Sequence, residues 1–197
     1  MRRQLLSALR MTIVLTALLG LVYPLVVTGV AQAAFSHRAN GSLLKVGGKV
    51  VGSSLIGQSF TDAGGNPLPT YFQPRPSAAG KGYDPTSSGA TNLGPSNPAL
   101  LSAVAQRVSD YRSFNGLAAT VAVPVDAVTS SASGLDPDIS VANALDQAGR
   151  VAKARSLSAD RVVALVHSHI STRQWSFLGE DTVNVLDLNV ALDRLGP

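Results

Sequence analysis

With 197 residues and no cysteine, the chain excludes disulfide bonds, thiolate metal sites and cysteine nucleophiles. Its formal net charge of +4 includes three arginines within the first ten residues, and the other thirteen basic residues face twelve acidic ones. Because this balance leaves only about +1 on the rest of the chain, without a long basic run, we do not expect nucleic-acid binding.

An uncharged stretch covers residues 11–36. Its most apolar part, residues 13–34, would be about 33 Å long as a helix, which matches a hydrocarbon core of roughly 30 Å. The arginines before it favour an N-terminus that stays in the cytoplasm. The sequence therefore predicts a cytoplasmic N-terminus over residues 1–10, a transmembrane helix over 11–35 and an extracytoplasmic domain over 36–197.

A signal peptide is the alternative interpretation of this stretch. The arginines also form a suitable n-region, and Ala31-Gln32-Ala33 is an A-x-A cleavage pattern. Cleavage would release an exported, free-standing binding or hydrolytic domain. The apolar stretch is longer than the usual h-region of about 7–15 residues, which favours a retained anchor.

A proline and two glycines interrupt the apolar stretch. Pro24 lies mid-span, and because its ring removes a backbone hydrogen bond we predict a kink near Leu21. Gly20 and Gly29 belong to small-xxx-small patterns, which allow another helix to approach closely, although glycine is common in membrane helices in any case. The span contains no ionisable side chain, so we expect any ion path to lie on other chains.

Beyond the span, the patterns predict one mixed α/β domain with a small sheet. Residues 43–46 and 49–51 flank Gly47-Gly48, and a two-residue glycine loop supplies the positive φ that tight hairpins need. Residues 61–98 are rich in Gly, Pro, Ser, Thr and Asn and predict a long irregular segment. The predicted fold is thus a single N-terminal transmembrane helix followed by one exported α/β domain.

Capping residues mark the helices of this domain. Asn97 and Pro98 begin a helix that ends near Asn115-Gly116. The other predicted elements, in chain order, are a strand at 120–123, a helix from Ser140 to about Arg155, a helix from Ser158 to about Ile170, a strand at 182–185 and a helix around 186–188.

Motifs for chemistry are missing from the sequence. Gly48-Lys49 and Gly80-Lys81 lack the second glycine and the Ser or Thr of a phosphate loop, and no G-x-S-x-G is present. His167 and His169 are two residues apart, about 200° around a helix, so they cannot grip one metal as an i, i+4 pair would. From the residues alone we predict no catalytic site and no metal site.

Several separated stretches, in one order along nearly the whole chain, carry a resemblance. They include Tyr23-Pro24, Ala39-Asn40-Gly41-Ser42-Leu43, Gly52-Ser53-Ser54-Leu55-Ile56-Gly57-Gln58, Arg75-Pro76-Ser77-Ala78, Ser131-Ala132-Ser133-Gly134-Leu135-Asp136, Arg150-Val151-Ala152-Lys153-Ala154-Arg155 and Leu188-Asn189. The chain resembles the C subunits (KdpC) of the bacterial Kdp-type potassium-transporting ATPases. Many ordered motifs are far more specific than any single one.

The resemblance implies an accessory subunit without catalytic residues. In that family a P-type subunit hydrolyses ATP, a channel-like subunit binds potassium and a small single-helix subunit completes the complex. The C subunit assists assembly and raises the ATP affinity of the pump subunit, as a catalytic chaperone. ATP and potassium then act through the complex, with no covalently bound cofactor. The expected location is the bacterial inner membrane, in contact with lipid and with the anchor retained.

By resemblance, the candidate nucleotide contact lies on the helix after Ser140. Gln147, an uncharged donor and acceptor, and Arg150, a phosphate-compatible cation, lie at i and i+3 on one face. The alternative is that both are solvated helix positions or contact a neighbouring subunit. Because an exported domain cannot meet cytoplasmic ATP, we expect any effect on ATP affinity to be transmitted across the membrane.

Overall fold

The computed structural model describes residues 1–196. The helices of this part are α1 (Arg2–Ala17), α2 (Tyr23–Ala39), α3 (Pro98–Asn115), α4 (Val125–Val128), α5 (Val141–Ala154), α6 (Ala159–Ser168) and α7 (Val185–Arg194). The strands are β1 (Leu43–Val46), β2 (Lys49–Ser53), β3 (Asp138–Ser140), β4 (Ile170–Ser171) and β5 (Thr182–Asn184). The chain divides into two compact units, Met1–Leu43 and the body that begins at Leu44. A long apolar N-terminal helix and a mixed α/β body with small sheets confirm that part of the predicted fold.

The first unit contains a helical segment of 38 residues, Arg2–Ala39, that is long and apolar enough to cross a membrane. A π-helical turn, Leu18–Val22, joins α1 to α2. Pro24 follows in the first turn of α2, and its ring crowds the carbonyl four residues earlier, at Gly20, which a wider π turn accommodates. At the place where the sequence predicts a kink, near Leu21, the structure has this π turn, whose flanking residues keep helical φ and ψ. A second irregularity, at Phe35 (φ −139°, ψ 39°), was not predicted.

The body begins with the predicted hairpin. Strands β1 and β2 form a two-stranded sheet, and the glycines between them, Gly47 and Gly48, have φ of +57° and +81°. These positive values explain why the loop is Gly-Gly. Residues 61–97 then carry no regular helix or strand, as predicted.

A second sheet and three helices enclose the core. Strand β5 lies between β3 and β4, antiparallel to both, with Ile139 opposite Val183 and Ile170 opposite Val183 on the other side. Apolar faces of α5, α6 and α7 pack over this small sheet. The fully buried residues of the core include Phe72, Ile139, Val151, Val162, Val166, Val183, Leu188 and Leu192.

Local capping fixes the helix starts that the sequence predicts. Asn97 Oδ1 accepts a hydrogen bond from Ala99 N at 2.9 Å, and Ser140 Oγ accepts one from Asn143 N at 3.1 Å. Each cap satisfies a first-turn N–H that has no partner within its helix. At the other end of α3, Gly116 adopts the left-handed conformation with φ +65°.

The predicted strand at 120–123 is wrong. These residues form a turn and an irregular segment, and the Val121 carbonyl accepts hydrogen bonds from Arg112 Nε at 3.0 Å and Nη2 at 2.6 Å. A β-branched run becomes a strand only when another strand pairs with it, and here a side chain supplies the partner instead. Helix α6 also ends at Ser168, two residues before the predicted end, because Ile170 joins strand β4.

Candidate functional site

Gln147 lies on the buried face of α5 and is only 2% exposed. Its Oε1 accepts from Gln73 N at 2.7 Å, and its Nε2 donates to Gln73 O at 3.0 Å. Nε2 also donates to Asn143 Oδ1 at 2.8 Å, and Oε1 also accepts from Arg150 Nη2 at 2.8 Å. An amide offers two donor hydrogens and two acceptor lone pairs, so every hydrogen-bonding position of Gln147 is occupied within the chain.

The side-chain amide of Asn189, on α7, binds the backbone of Phe72 in the same way as Gln147 binds the next residue, Gln73. Its Oδ1 accepts from Phe72 N at 2.9 Å, and its Nδ2 donates to Phe72 O at 3.0 Å. Gln147 and Asn189, which we call the amide clamp, thus pair with the backbone of two consecutive residues. A buried backbone outside any sheet must find such partners, because an unpaired N–H or C=O is costly.

Arg150, one turn after Gln147, fastens the same segment and is 8% exposed. Its Nη1 donates to the carbonyls of Pro69 at 2.5 Å and Tyr71 at 3.0 Å, and its Nε donates to Asn115 Oδ1 at 2.9 Å. No carboxylate in residues 1–196 forms an ion pair with it. Burial lowers the pKa of Arg150 to about 10, because desolvation penalises the charged form.

The prediction that Gln147 and Arg150 share one helix face is confirmed, because they are hydrogen-bonded to each other. The alternative that both are solvated helix positions is wrong, since both are buried. The apolar neighbours of α5 and the irregular segment cover them. Their side chains hold the fold of the body together.

Arg155, at the C-terminal end of α5, extends the grip on this segment. Its Nε donates to Thr70 O at 2.7 Å and its Nη2 to Asp193 Oδ1 at 2.6 Å. The guanidinium also lies over the ring of Tyr71, 4.7 Å from the centroid. Helices α5 and α7 therefore hold residues 69–73 through side chains alone.

A cavity of about 320 Å³ lies beside this segment in the body. Its wall includes Arg75 and Arg107, the carboxylate of Asp110 and the phenols of Tyr83 and Tyr111. Burial raises the pKa of both phenols, so they stay neutral at physiological pH. The cavity can accept an apolar group with a few polar contacts, as small-molecule sites do.

Arg75 ties the cavity wall to the loop before β3. Its Nη1 donates to Asp136 Oδ2 at 2.7 Å, while its Nε is buried without a hydrogen-bond partner. The Tyr83 hydroxyl donates to Arg75 O at 2.8 Å. One donor of this guanidinium therefore stays unsatisfied inside the body.

In the part of the chain that the structure describes, no three His, Asp or Glu side chains lie close enough together to hold a metal ion. His167 lies in the last turn of α6, and His169 follows its end. The Nδ1 atom of His169 lies 2.9 Å from Leu165 O, a backbone contact.

The predicted packing residues of the membrane helix lie on open surface. A Cβ added at Gly20 or Gly29 would meet no heavy atom within 4 Å. Pro24 lies beside the π turn, and no residue of α1 or α2 is buried within the chain. This surface is free to contact lipid or another helix.

Comparison with known proteins finds one family that matches nearly the whole chain. Residues 5–194 match the family described as "KdpC: K+-transporting ATPase, c chain". The chain belongs to the KdpC family. It is 57% identical over 195 residues to the "Potassium-transporting ATPase KdpC subunit" of Mycobacterium tuberculosis, covering 99% of this chain and 100% of that protein. The proteins of the same name from Koribacter versatilis and Rhodospirillum rubrum are 48% and 51% identical, each over 100% of this chain and 97% and 98% of their own lengths.

Membership of the KdpC family confirms the resemblance seen in the sequence. A KdpC chain is a subunit of the K+-transporting ATPase and is not its catalytic subunit. The burial of Gln147 and Arg150 on α5 agrees with this, because catalytic groups must reach their substrate.

Sequence reasoning missed the asparagines that complete the polar interior of this KdpC chain. Asn189, Asn143 and Asn115 are all buried and hydrogen-bonded. A signal for Asn189 exists, because it falls between Val185 and Leu192 on the apolar stripe of α7, where a polar residue must be buried. Asn143 and Asn115 each have one partner four residues away on the same helix, but the bonds that join separate elements, from Asn189 to Phe72 and from Arg150 to Asn115, have no local signal.

Proposed function

We propose that the chain is an accessory subunit that stabilises the Kdp complex and raises the ATP affinity of its P-type ATP-hydrolysing subunit. The partners are that subunit, the potassium-binding channel-like subunit and the small single-helix subunit. The observation that carries the proposal is that Gln147 and Arg150 are both buried and that their hydrogen bonds go to groups inside the body, with all four hydrogen-bonding positions of Gln147 occupied. The effect on ATP is then indirect, passed on through contacts with the partner subunits.

Direct nucleotide binding by these two residues would break their present bonds. A phosphate group on Arg150 would have to replace the carbonyls of Pro69 and Tyr71, and a base on Gln147 would have to displace Gln73. Each buried group left unpaired costs about 1–3 kcal/mol. An indirect effect needs none of this, because a coupling free energy between separate sites is sufficient.

The topology of the proposal is an N-terminus in the cytoplasm, one membrane helix and a body outside the cytoplasm, in the bacterial inner membrane. The arginines before the apolar stretch support this orientation. The apolar stretch is longer than the usual h-region of about 7–15 residues, which supports a retained helix. The mass of the intact chain extracted from membranes tests retention, and a species that begins near Ala34 would contradict it.

Two measurements test the indirect role. First, the full-length chain in lipid nanodiscs should show no saturable ATP binding by calorimetry at physiological nucleotide concentration. Second, the assembled ATPase carrying Gln147→Leu should show a raised KM for ATP, because a loosened body couples less well to the pump subunit. Gln106→Leu, at an exposed position of α3, is the matched control and should leave the KM unchanged.

Saturable ATP binding by the isolated full-length chain, abolished by Gln147→Ala, would overturn both the indirect role and the proposed topology. An unchanged KM in the Gln147→Leu complex, with assembly intact, would show that the polar interior of the body has no part in the effect on ATP.

A further inference from the structure

The β1–β2 hairpin leaves much of its apolar surface uncovered. Leu43, Val50, Leu55 and Ile56 are all exposed in the strands or in the turn that follows them. A two-stranded hairpin is at best marginally stable in water, and exposed apolar groups on it mark a contact surface.

One face of the hairpin already has a partner inside the body. Leu44, Val46 and Val51 line cavities that side chains of α7 complete, among them Val190. Successive side chains of a strand point to opposite faces, so Leu43 and Lys45 on β1, and Val50 on β2, lie on the other face. We call Leu43, Lys45 and Val50 the outer face of the hairpin.

Along the chain, the hairpin and the residues on either side of it carry basic groups only, whereas Asp187 and Asp193 of α7 lie on the side that faces the body. Residues 36–61, on the same side of the apolar stretch as the hairpin, contain the basic residues Arg38, Lys45 and Lys49 and no acidic residue, the first of which is Asp62. Lys45 and Lys49 are exposed on the hairpin, and neither forms an ion pair in the described part of the chain. The rest of the chain, from residue 62 on, has ten basic and twelve acidic residues and therefore the opposite sign.

The hairpin is also the first structure after the membrane helix. Only residues 40–42 separate the end of α2 at Ala39 from the start of β1 at Leu43. The last turn of α2 carries His37 and Arg38, a basic end of the kind that lies at the headgroup level.

We infer that the β1–β2 hairpin lies on the bilayer surface and binds anionic phospholipid headgroups. Leu43 and Val50 enter the boundary between headgroups and acyl chains, while Lys45 on the outer face reaches the lipid phosphates. Lys49 starts on the face of Val51, but it is exposed directly after the Gly47-Gly48 loop, and its long side chain reaches the phosphates from the end of the hairpin. The inference rests on the proposed retention of the membrane helix, because only an anchored chain keeps the hairpin at the surface.

The composition favours lipid over a partner subunit as the occupant. Lysine is depleted from protein interfaces, whereas a mixture of lysine and aliphatic residues without acids is typical of elements that lie on anionic membranes. Each lysine near such a surface contributes about fivefold to partitioning, so the two together contribute about 25-fold.

The absence of cysteine allows a direct test on the full-length chain. A nitroxide label is attached at Val50→Cys, in vesicles of phosphatidylcholine with or without phosphatidylglycerol, and its collision rates with oxygen and with a water-soluble nickel chelate are measured. Val125→Cys, whose parent residue is 73% exposed against 53% for Val50, is the reference label. We expect the Val50→Cys label to be shielded from the nickel chelate in the phosphatidylglycerol vesicles, and the Val125→Cys label to stay accessible.

Charge reversal then separates lysine recognition from simple insertion. Lys45→Glu/Lys49→Glu should abolish the shielding, and the milder Lys45→Gln/Lys49→Gln should reduce it by about 25-fold in bound-to-free ratio. Lys81→Glu/Lys153→Glu, which changes the charge equally at the two other lysines of the chain, both exposed, should leave it intact. Circular dichroism establishes that all variants are folded.

Three results would overturn the inference. The Val50→Cys label could be as water-accessible as the Val125→Cys label in every vesicle. Its shielding could be the same with and without phosphatidylglycerol and in the lysine variants, which would exclude binding of anionic headgroups by the lysines. It could also be shielded only in the assembled ATPase, in which case a protein subunit covers the hairpin. Intact mass, measured on the same sample, tests anchor retention independently.

Discussion

Arg150 shows how a buried cation is tolerated without a carboxylate partner. A charge inside a protein is destabilising unless hydrogen bonds replace its hydration. Here the carbonyls of Pro69 and Tyr71 and the amides of Asn115 and Gln147 accept its hydrogens. The ring of Phe114, 4.3 Å from the guanidinium carbon, covers one face. The side chain therefore stabilises the body only because all of these groups meet in one place.

Removing Arg150 should destabilise the body. Arg150→Met leaves several buried acceptors unpaired, and we expect a loss of about 1–3 kcal/mol in the free energy of unfolding. Arg150→Lys keeps the charge but loses the planar fork, so it should also destabilise. Arg161→Met, at an exposed position of α6, should stay within about 0.5 kcal/mol of the parent. Thermal denaturation followed by circular dichroism checks these values, and equal melting temperatures for Arg150→Met and Arg161→Met would contradict them.

Asp138 should make the body less stable as pH rises, whereas a salt-bridged carboxylate makes a protein more stable as pH rises. Burial raises its pKa in the folded state, while hydrogen bonds from Asn184 and Thr182 partly oppose the rise. Above the unfolded value of 3.8 and up to the raised pKa, the folded state holds more protons, so stability falls as pH rises through this window. Asp138→Asn should remove that slope and raise stability at neutral pH. Melting temperatures of both chains between acid and neutral pH test this; an unchanged difference across the range would refute it.

At the scale of elements, local signals predicted the longer helices and the β1–β2 hairpin, but they missed the short helix α4 and the strands β3 and β4 of the second sheet. The caps Asn97 and Ser140 act within three residues, so a single sequence reveals them. The strands of the second sheet are only two or three residues long, and Asp138 pairs with Asn184 across a gap that no local pattern reports. The run at 120–123 has strand-like composition but no strand to pair with.

The same contrast holds for the candidate site. Helical spacing placed Gln147 and Arg150 on one face, which the structure confirms. Their partners at residues 69–73 lie in the irregular segment, 74 residues before Gln147 in the case of Gln73. Only the folded chain brings the two together, so burial of the pair could not be inferred from α5 alone.

The amide clamp makes a prediction for the irregular segment as a whole. Asn189→Leu removes both partners of the Phe72 backbone, at a cost of about 1–3 kcal/mol. Local opening should then speed amide hydrogen exchange at Phe72 and Gln73 by about tenfold or more, since 1.4 kcal/mol corresponds to tenfold. Exchange in α6 should stay unchanged, because α6 has no part in the clamp. Mass spectrometry of peptides covering 69–73 measures this, with Asn66→Leu, an exposed asparagine, as the control.

If exchange in the segment and in α6 rose together, Asn189→Leu would have destabilised the whole body and the clamp would not be a local device. If neither changed, the backbone of Phe72 would have other means of pairing, and the clamp would carry no weight in holding the segment.

At the scale of the whole molecule, the two units differ in how their apolar side chains are covered. The body buries its apolar side chains internally, whereas the helix Arg2–Ala39 buries none and depends on lipid or on other helices. Within a membrane, helices associate through close packing of small residues and not through hydrophobic burial. For a subunit of the K+-transporting ATPase, the glycines of this helix are therefore candidate contacts with neighbouring subunits.

Gly20→Leu and Gly29→Leu should weaken assembly of the ATPase while leaving membrane insertion intact. A Cβ at either position meets no heavy atom of another part of the chain within 4 Å, so there is room for a side chain, and leucine favours insertion. Added volume in a packed helix interface costs about 1–3 kcal/mol, which corresponds to at least about fivefold weaker association. Ala17→Leu and Ala31→Leu add a similar volume outside the small-xxx-small positions and serve as controls. Co-purification of the other subunits, quantified against the amount of inserted chain, decides the matter: equal recovery with all four variants would mean that the body alone docks the chain to the complex.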